Sequence, residues 1–144
     1  MSVEKYKDMT DEQILERLLN AEEAPIPQKT VYIKRLGIPI VLQGISEKQL
    51  ATLRNKYTYT VRGKRGAPDT KEFDSENFVL ALIAVCAVKP NFKDEALLNK
   101  YKASGPEEVL KRVFLPGELD QLADIVYELC GFNEGVEEIE EIKN

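Results

Sequence analysis

The side chains able to carry out covalent chemistry are few in this sequence, and their spacing is unpromising. Histidine is absent, which removes the imidazole base, the His metal ligand and the Ser–His pair used by the largest groups of hydrolases and zinc enzymes. The two cysteines, Cys86 and Cys130, sit inside the apolar runs IAVCAV and VYELCG and share no short metal-ligand spacing. Buried free thiols in a reducing cytoplasm are the expectation, with a disulfide as the alternative. Carboxylates are abundant, but pairs such as Glu107/Glu108 and Asp120/Asp124 fall on helix faces expected to be solvated. Nothing there would drive two pKa values apart, as an acid/base dyad requires. Neither GxxxxGK[ST] nor GxGxxG occurs; RGKRG at 62–66 comes nearest, without the strand-to-helix setting that makes such loops hold phosphate. Oxygen-only metal binding would want an EF-hand-like loop, and the sequence has none. The expectation is a non-enzyme with no cofactor and no metal.

What the residues do suggest is recognition by charge. Between Arg54 and Glu72 stand six cations (Arg54, Lys56, Arg62, Lys64, Arg65, Lys71) against Asp69 and Glu72, a local charge of +4, interleaved with Tyr57 and Tyr59. Basic residues mixed with aromatics can track a nucleic-acid backbone and stack bases. The net charge of -5 argues against that use, so nucleic acid is the weaker reading of this stretch. A protein contact and a plain solvated loop are the others. The opposite charge gathers at the end of the chain, where residues 132–144, FNEGVEEIEEIKN, hold five glutamates against one lysine. Val136, Ile139 and Ile142 recur every three residues there, so the segment could become a one-sided helix on a partner. As a free segment, 132–144 reads as an acidic flexible tail.

These groups must be positioned by a mainly α (α+β) framework, a compact helical domain with a small N-terminal β-hairpin. At 144 residues a chain can bury roughly two-thirds of its extended surface without staples, so residues 1–131 are expected to form a single globular domain. Thr10 and Gln13 read as a capping box opening DEQILERLLN, with Ile14, Leu15, Leu18 and Leu19 on a core-facing stripe. KTVYIKRLGIPIVLQG then reads as two strands joined at Arg35–Gly37, with Pro39 marking an edge. Ser46 and Gln49 form a second capping box, and Leu50, Leu53 and Tyr57 share one face of the helix it opens. Residues 62–72 read as an exposed basic loop. Asp74 caps the almost wholly apolar run SENFVLALIAVCAV, the expected central helix, ended by Val88-Lys89-Pro90. Three more helices follow: EALLNKY after Asp94, PEEVLKRVF with Ser104 facing Glu107, and GELDQLADIVYELC closed by Gly131. No secretory leader is visible, and the longest apolar stretch, 78–88, is half a membrane span. A cytoplasmic protein without a membrane contact is expected.

The order and spacing of ILERLLNAEE, VYIKRLGIPIVLQGIS and AVKPNFKDEALLNKYKASGPEEVLKRVFLPGELDQLADIVYELCGFNE resemble the XkdN-like phage tail assembly chaperones over roughly residues 10 to 135. The resemblance implies a non-enzymatic role in building the tail of a phage or prophage within the bacterial host cytoplasm. The implied partners are the tape measure protein, held soluble until the tube polymerises, and the tail-tube protein; self-association is possible. A tape-measure helix would lay its apolar stripe on an apolar surface of such a chaperone, and many weak copies along one rod would add avidity. The expected contact surface is the first hairpin, the helix after it and the basic loop: Tyr32, Ile38, Ile40, Leu50, Leu53, Arg62, Lys64 and Arg65. The rival reading is a small nucleic-acid-binding or regulatory protein using residues 54–71.

Overall fold

The structure, a computed structural model, describes residues 6–24, 26–132 and 136; the expected acidic tail lies almost wholly outside them. Thr10 caps α1 (Asp11–Asn20) as its spacing from Gln13 demands: the Gln13 N–H donates to Thr10 Oγ1 at 3.2 Å, and the Thr10 N–H donates to Gln13 Oε1 at 2.9 Å. Two orphan donors of the first turn are thereby satisfied. Ser46 and Gln49 repeat the device, at 3.2 and 3.0 Å, at the start of α2 (Glu47–Lys56). Between these helices β1 (Gln28–Ile33) and β2 (Ile38–Gln43) pair antiparallel, with Tyr32 opposite Pro39 and Val31 opposite Ile40. Gly37 closes their turn at φ +66°, a conformation that favours glycine.

The remaining elements are β3 (Thr58–Val61), β4 (Thr70–Phe73), α3 (Ser75–Cys86), β5 (Ala87–Lys89), α4 (Glu95–Tyr101), α5 (Pro106–Val113) and α6 (Pro116–Leu129). The fold is α+β and mainly helical, with small antiparallel sheets. Helix α3 is central: Phe78, Leu80, Ala81, Leu82, Ile83 and Cys86 are all buried, and it packs on α2, α5, α6 and β2. The sheet β1-β2-β5 covers this bundle on one side. Ile40 and Leu42 from the sheet meet Leu82, Ile83, Val109, Leu110, Leu122 and Val126 from the helices in one core.

Several expectations need correction. The central helix stops at Cys86 rather than Val88, and Ala87–Lys89 forms β5 on the free edge of β2. The residue before a proline is disfavoured in helical conformation, and the extended path gives Val41 and Leu42 a ladder partner. Pro39 therefore lies in a central strand, not an edge strand. β5 reaches only Val41 and Leu42, so at Pro39 the far side of β2 is still open and tolerates an absent donor. The basic stretch is not simply a loop: Thr70–Phe73 pairs with Thr58–Val61, and only the tip between them is irregular. Ser104 does not face Glu107; its N–H and hydroxyl donate to the Glu108 carboxylate at 3.0 and 2.9 Å, while Gly105 takes the cap position. The largest departure is α1, whose apolar stripe does not face the core. No residue of α1 is buried.

Candidate partner-binding surfaces

Helix α1 presents Ile14, Leu15, Leu18 and Leu19 to solvent, and none of its side chains joins the core. Its sequence has every requirement of an amphipathic packing helix except something to pack on. The segment before it turns back, bringing the Tyr6 ring beneath the Arg17 guanidinium at 5.8 Å. Four large apolar side chains at helical spacing thus form a bare stripe, tethered to β1 through residues 21–27. Periodicity reveals that a helix has an apolar face but not what covers it, which is why the stripe reads from sequence as core-facing.

The β3–β4 hairpin projects from the base of α3. Its root is fixed by the Asp74 N–H donating to the Tyr57 carbonyl at 2.9 Å and by the Phe73 ring against Phe78, centroids 5.1 Å apart. At its tip the Ala67 N–H donates to the Lys64 carbonyl at 3.0 Å around Arg65 (φ +34°) and Gly66 (φ +79°). Two successive positive φ angles make a turn of the I′ kind, whose twist suits a hairpin. The two acidic residues of the stretch are used locally: Asp69 accepts the Gly63 N–H at 2.8 Å, and Glu72 accepts the Tyr59 hydroxyl at 3.0 Å. That contact with Glu72 is the main reason the Tyr59 phenol is pushed above its ordinary value. Arg54, Lys56, Arg62, Lys64, Arg65 and Lys71 are all exposed. Among the described residues the ion pair within 4.0 Å is Arg35–Glu118, so none of these six cations has a carboxylate at that distance.

That pair stands at the mouth of an open groove of about 410 Å³ between β1 and α6, lined by Val31, Tyr32, Leu115 and Ile125 among others. Arg35 donates from Nη2 and Nε to the Glu118 carboxylate at 2.8 and 3.2 Å, and Nη2 also reaches the Val113 carbonyl at 2.7 Å. Glu118 accepts the Leu115 N–H at 2.7 Å as well. The Arg35 contact first, and the backbone bond second, hold the Glu118 carboxyl below its ordinary range. A second apolar groove of about 520 Å³ runs between α3, α5 and α6 past Val79, Phe114 and Leu119.

The residues expected to form one contact surface are not brought together as such. Alternation along the strands sends Ile38, Ile40 and Leu42 toward the helices, and Tyr32 and Pro39 away from them. Ile40 is therefore a core residue with 0% exposure, as is Leu50 on the inner face of α2 with 4%, and neither presents a surface to a partner. Ile38 and Leu53 are half-buried against the core. Tyr32, at 63% exposure, stands by the β1–α6 groove, and Arg62, Lys64 and Arg65 lie at the hairpin tip. Cys86 is buried and Cys130 half-buried, and neither is in a disulfide. Burial first, then the nearby Cys130, pushes the Cys86 thiol up to about 12. Among the described residues no group of three or more Cys, Asp or Glu side chains is arranged to hold a metal ion. Nor, among them, is any helix long and apolar enough to cross a membrane.

The family of phage XkdN-like tail assembly chaperones matches residues 4–143. The chain belongs to this family. The crystal structure of the protein YqbN, a structural genomics target, superposes with a TM-score of 0.62 at 22% identity, covering 81% of this chain and 95% of that one; this shows a shared fold. No curated protein is significantly similar in sequence. For a tail assembly chaperone, the informative surfaces are those that could hold another polypeptide. The α1 stripe, the β1–α6 groove and the cationic hairpin are three such surfaces.

Proposed function

We propose that this tail assembly chaperone binds the tape measure protein in the host cytoplasm and keeps it soluble until the tail tube polymerises. The observation that carries the reading is the bare stripe of α1: a capped helix with Ile14, Leu15, Leu18 and Leu19 all exposed. Exposed apolar stripes of this kind serve helix-to-helix docking. A long helical partner with its own apolar stripe would pair with α1, and Tyr32 with the adjoining groove extends the apolar area. The cationic hairpin lies outside that contact. Each contact is small, so a rod bound by many copies is held by their sum and released as an advancing tube displaces them one by one.

Co-expression with the tape measure protein tests the reading. The expected outcome is a newly soluble partner that co-purifies with several copies of the chaperone. The same partner remaining insoluble beside well-expressed, folded chaperone would refute it. Full solubilisation by a chain carrying Leu15→Asp and Leu18→Asp would uphold the activity and remove the α1 stripe from the contact.

A further inference from the structure

The sheet β1-β2-β5 ends on β1, and that edge is bare. The Gly44 N–H donates to the Pro27 carbonyl at 2.9 Å, which sets the phase of the β1–β2 ladder. Hydrogen-bonded pairs alternate along antiparallel strands, so Lys29, Val31 and Ile33 turn their backbone groups toward β2. Gln28, Thr30 and Tyr32 turn theirs the other way, and among the described residues no third strand takes them. All three residues are exposed. Soluble proteins blunt such edges with a proline, a bulge or a covering element. Gln28–Ile33 contains no proline, and its register with β2 runs unbroken from end to end.

The groove of about 410 Å³ is lined by β1 and α6 and by no residue of β2, so it opens along this free edge. Its volume is that of an ordinary ligand cleft. The floor is apolar: Leu122 is buried, and Val31 and Ile125 are half-buried. A strand added to β1 would alternate its side chains, sending every second one over Val31 and Ile33 into the groove. The charges beside the edge are of one sign. From residue 24 to residue 46 the chain has Lys29, Lys34 and Arg35 and no Asp or Glu. Arg35 is answered by Glu118, whereas Lys29 and Lys34 are exposed and, among the described residues, have no carboxylate within 4.0 Å. These two lysines bracket the edge, ~17 Å apart along the strand.

We infer that the free edge of β1 takes an extended segment of a partner polypeptide as a further strand, with apolar residues at alternate positions and a carboxylate near each end. The backbone groups of Gln28, Thr30 and Tyr32 pair with it, the β1–α6 groove receives its apolar side chains, and Lys29 and Lys34 hold its acidic ends. Strand addition draws affinity from main-chain hydrogen bonds and specificity from pockets for alternate side chains. The inference does not rest on the α1 stripe, and it concerns an extended segment rather than a helix.

The test uses the full chain and an end-blocked peptide, DVTVTVD, followed by titration calorimetry and backbone amide NMR. Saturable one-to-one binding is expected, with shifts centred on Gln28–Ile33 and slowed hydrogen exchange at the Thr30 and Tyr32 amides. Only every second amide of an added strand faces its neighbour. Methylating the peptide nitrogens of one alternate set of residues should therefore abolish binding, and methylating the other set should spare it. Thr30→Pro removes an outward donor and leaves the β1–β2 ladder whole; it should weaken binding about fivefold, the usual effect of one hydrogen bond, while Thr30→Ala should not. The lysine-ended peptide KVTVTVK should bind more weakly at about 20 mM salt and equally well at about 0.5 M, where the Debye length is about 4 Å. No saturable binding up to about 1 mM peptide would overturn the inference, as would equal binding by both methylated sets or by the lysine-ended peptide at low salt. So would Thr30 and Tyr32 amides that become protected without peptide as the chain is concentrated, since a second copy would then hold the edge.

Discussion

Replacing Leu18 and Leu19 of α1 by alanine separates a surface role from a structural one. These two side chains are 68% and 76% exposed, beside Ile14 at 46% and Leu15 at 56%. Because α1 buries nothing, the double substitution removes no core contact, and alanine is the best helix former, so the helix itself is not weakened. Folding stability should change by no more than about 0.5 kcal/mol, the usual bound for surface sites. Binding is another matter. Removing the leucine atoms beyond Cβ forfeits about 2 kcal/mol where a side chain goes from fully exposed to fully buried. Scaled by the exposed fractions, the pair loses about 3 kcal/mol of potential contact, or roughly a 150-fold weaker complex per site. Urea unfolding followed by circular dichroism reads the first quantity, and titration calorimetry with a soluble tape-measure helix reads the second. A stability loss above about 2 kcal/mol would mean that α1 packs on the domain after all. Unchanged affinity with unchanged stability would remove the stripe from the partner surface.

Other expectations follow from the interior. Ile40→Ala, at a site with 0% exposure, should cost 2–5 kcal/mol or about that, while Tyr32→Ala should leave the urea midpoint nearly unchanged. Gly44→Ala would drive a Cβ to 2.5 Å from the Leu129 carbonyl oxygen; neither partner is a flexible side chain, so a loss of about 1–3 kcal/mol is expected from thermal unfolding. Glu108 and Glu118 are both held below the ordinary 4.5 by accepted hydrogen bonds, from Ser104 and from Arg35 respectively. Each is deprotonated more readily when folded, so its contribution is complete above 4.5 and fades as pH falls through the lower folded value. Urea midpoints measured from neutral to acid pH should show a shallower acid limb in Glu118→Gln. Finally, the Cys86 thiol, pushed to about 12 by burial, should resist an aromatic disulfide reagent in the native protein at pH 8 to 9 and react only on unfolding.

The parts of this fold that were legible in the sequence are those set by local chemistry. Thr10/Gln13 and Ser46/Gln49 announce their helices because a capping box needs only four residues to form. The unbroken apolar run of α3 announces a central element because no surface face remains to it. Ala87–Lys89 was not legible, since a three-residue strand exists only because β2 has a free edge to fill. Thr70–Phe73 was hidden for a similar reason: TKEF has no alternating pattern, and its pairing is enforced by the turn at Arg65–Gly66. Ile40 on β2 and Leu50 on α2 were misplaced because a strand or helix read without its partner layer does not reveal which face will be covered. The same gap concealed the α1 stripe, although AEEAPIP, with prolines at 25 and 27, gave a hint of detachment.

The attachment of α1 has a mechanical consequence. The last fixed point before β1 is the Pro27 carbonyl, which accepts the Gly44 N–H at 2.9 Å; from there to Asn20 the chain spans at most ~25 Å. Under the function proposed above, a helix held on such a lead does not have to share its domain's spacing. Globular bodies queued along a rod are kept apart by their own girth, whereas apolar patches on a long helix recur at intervals set by its sequence. With α1 built rigidly into the domain, these two periods would have to agree. If α1 is the contact proposed above, a lead of this length lets each copy reach forward or back by a few helical turns, and identical copies could then clothe an irregular rod.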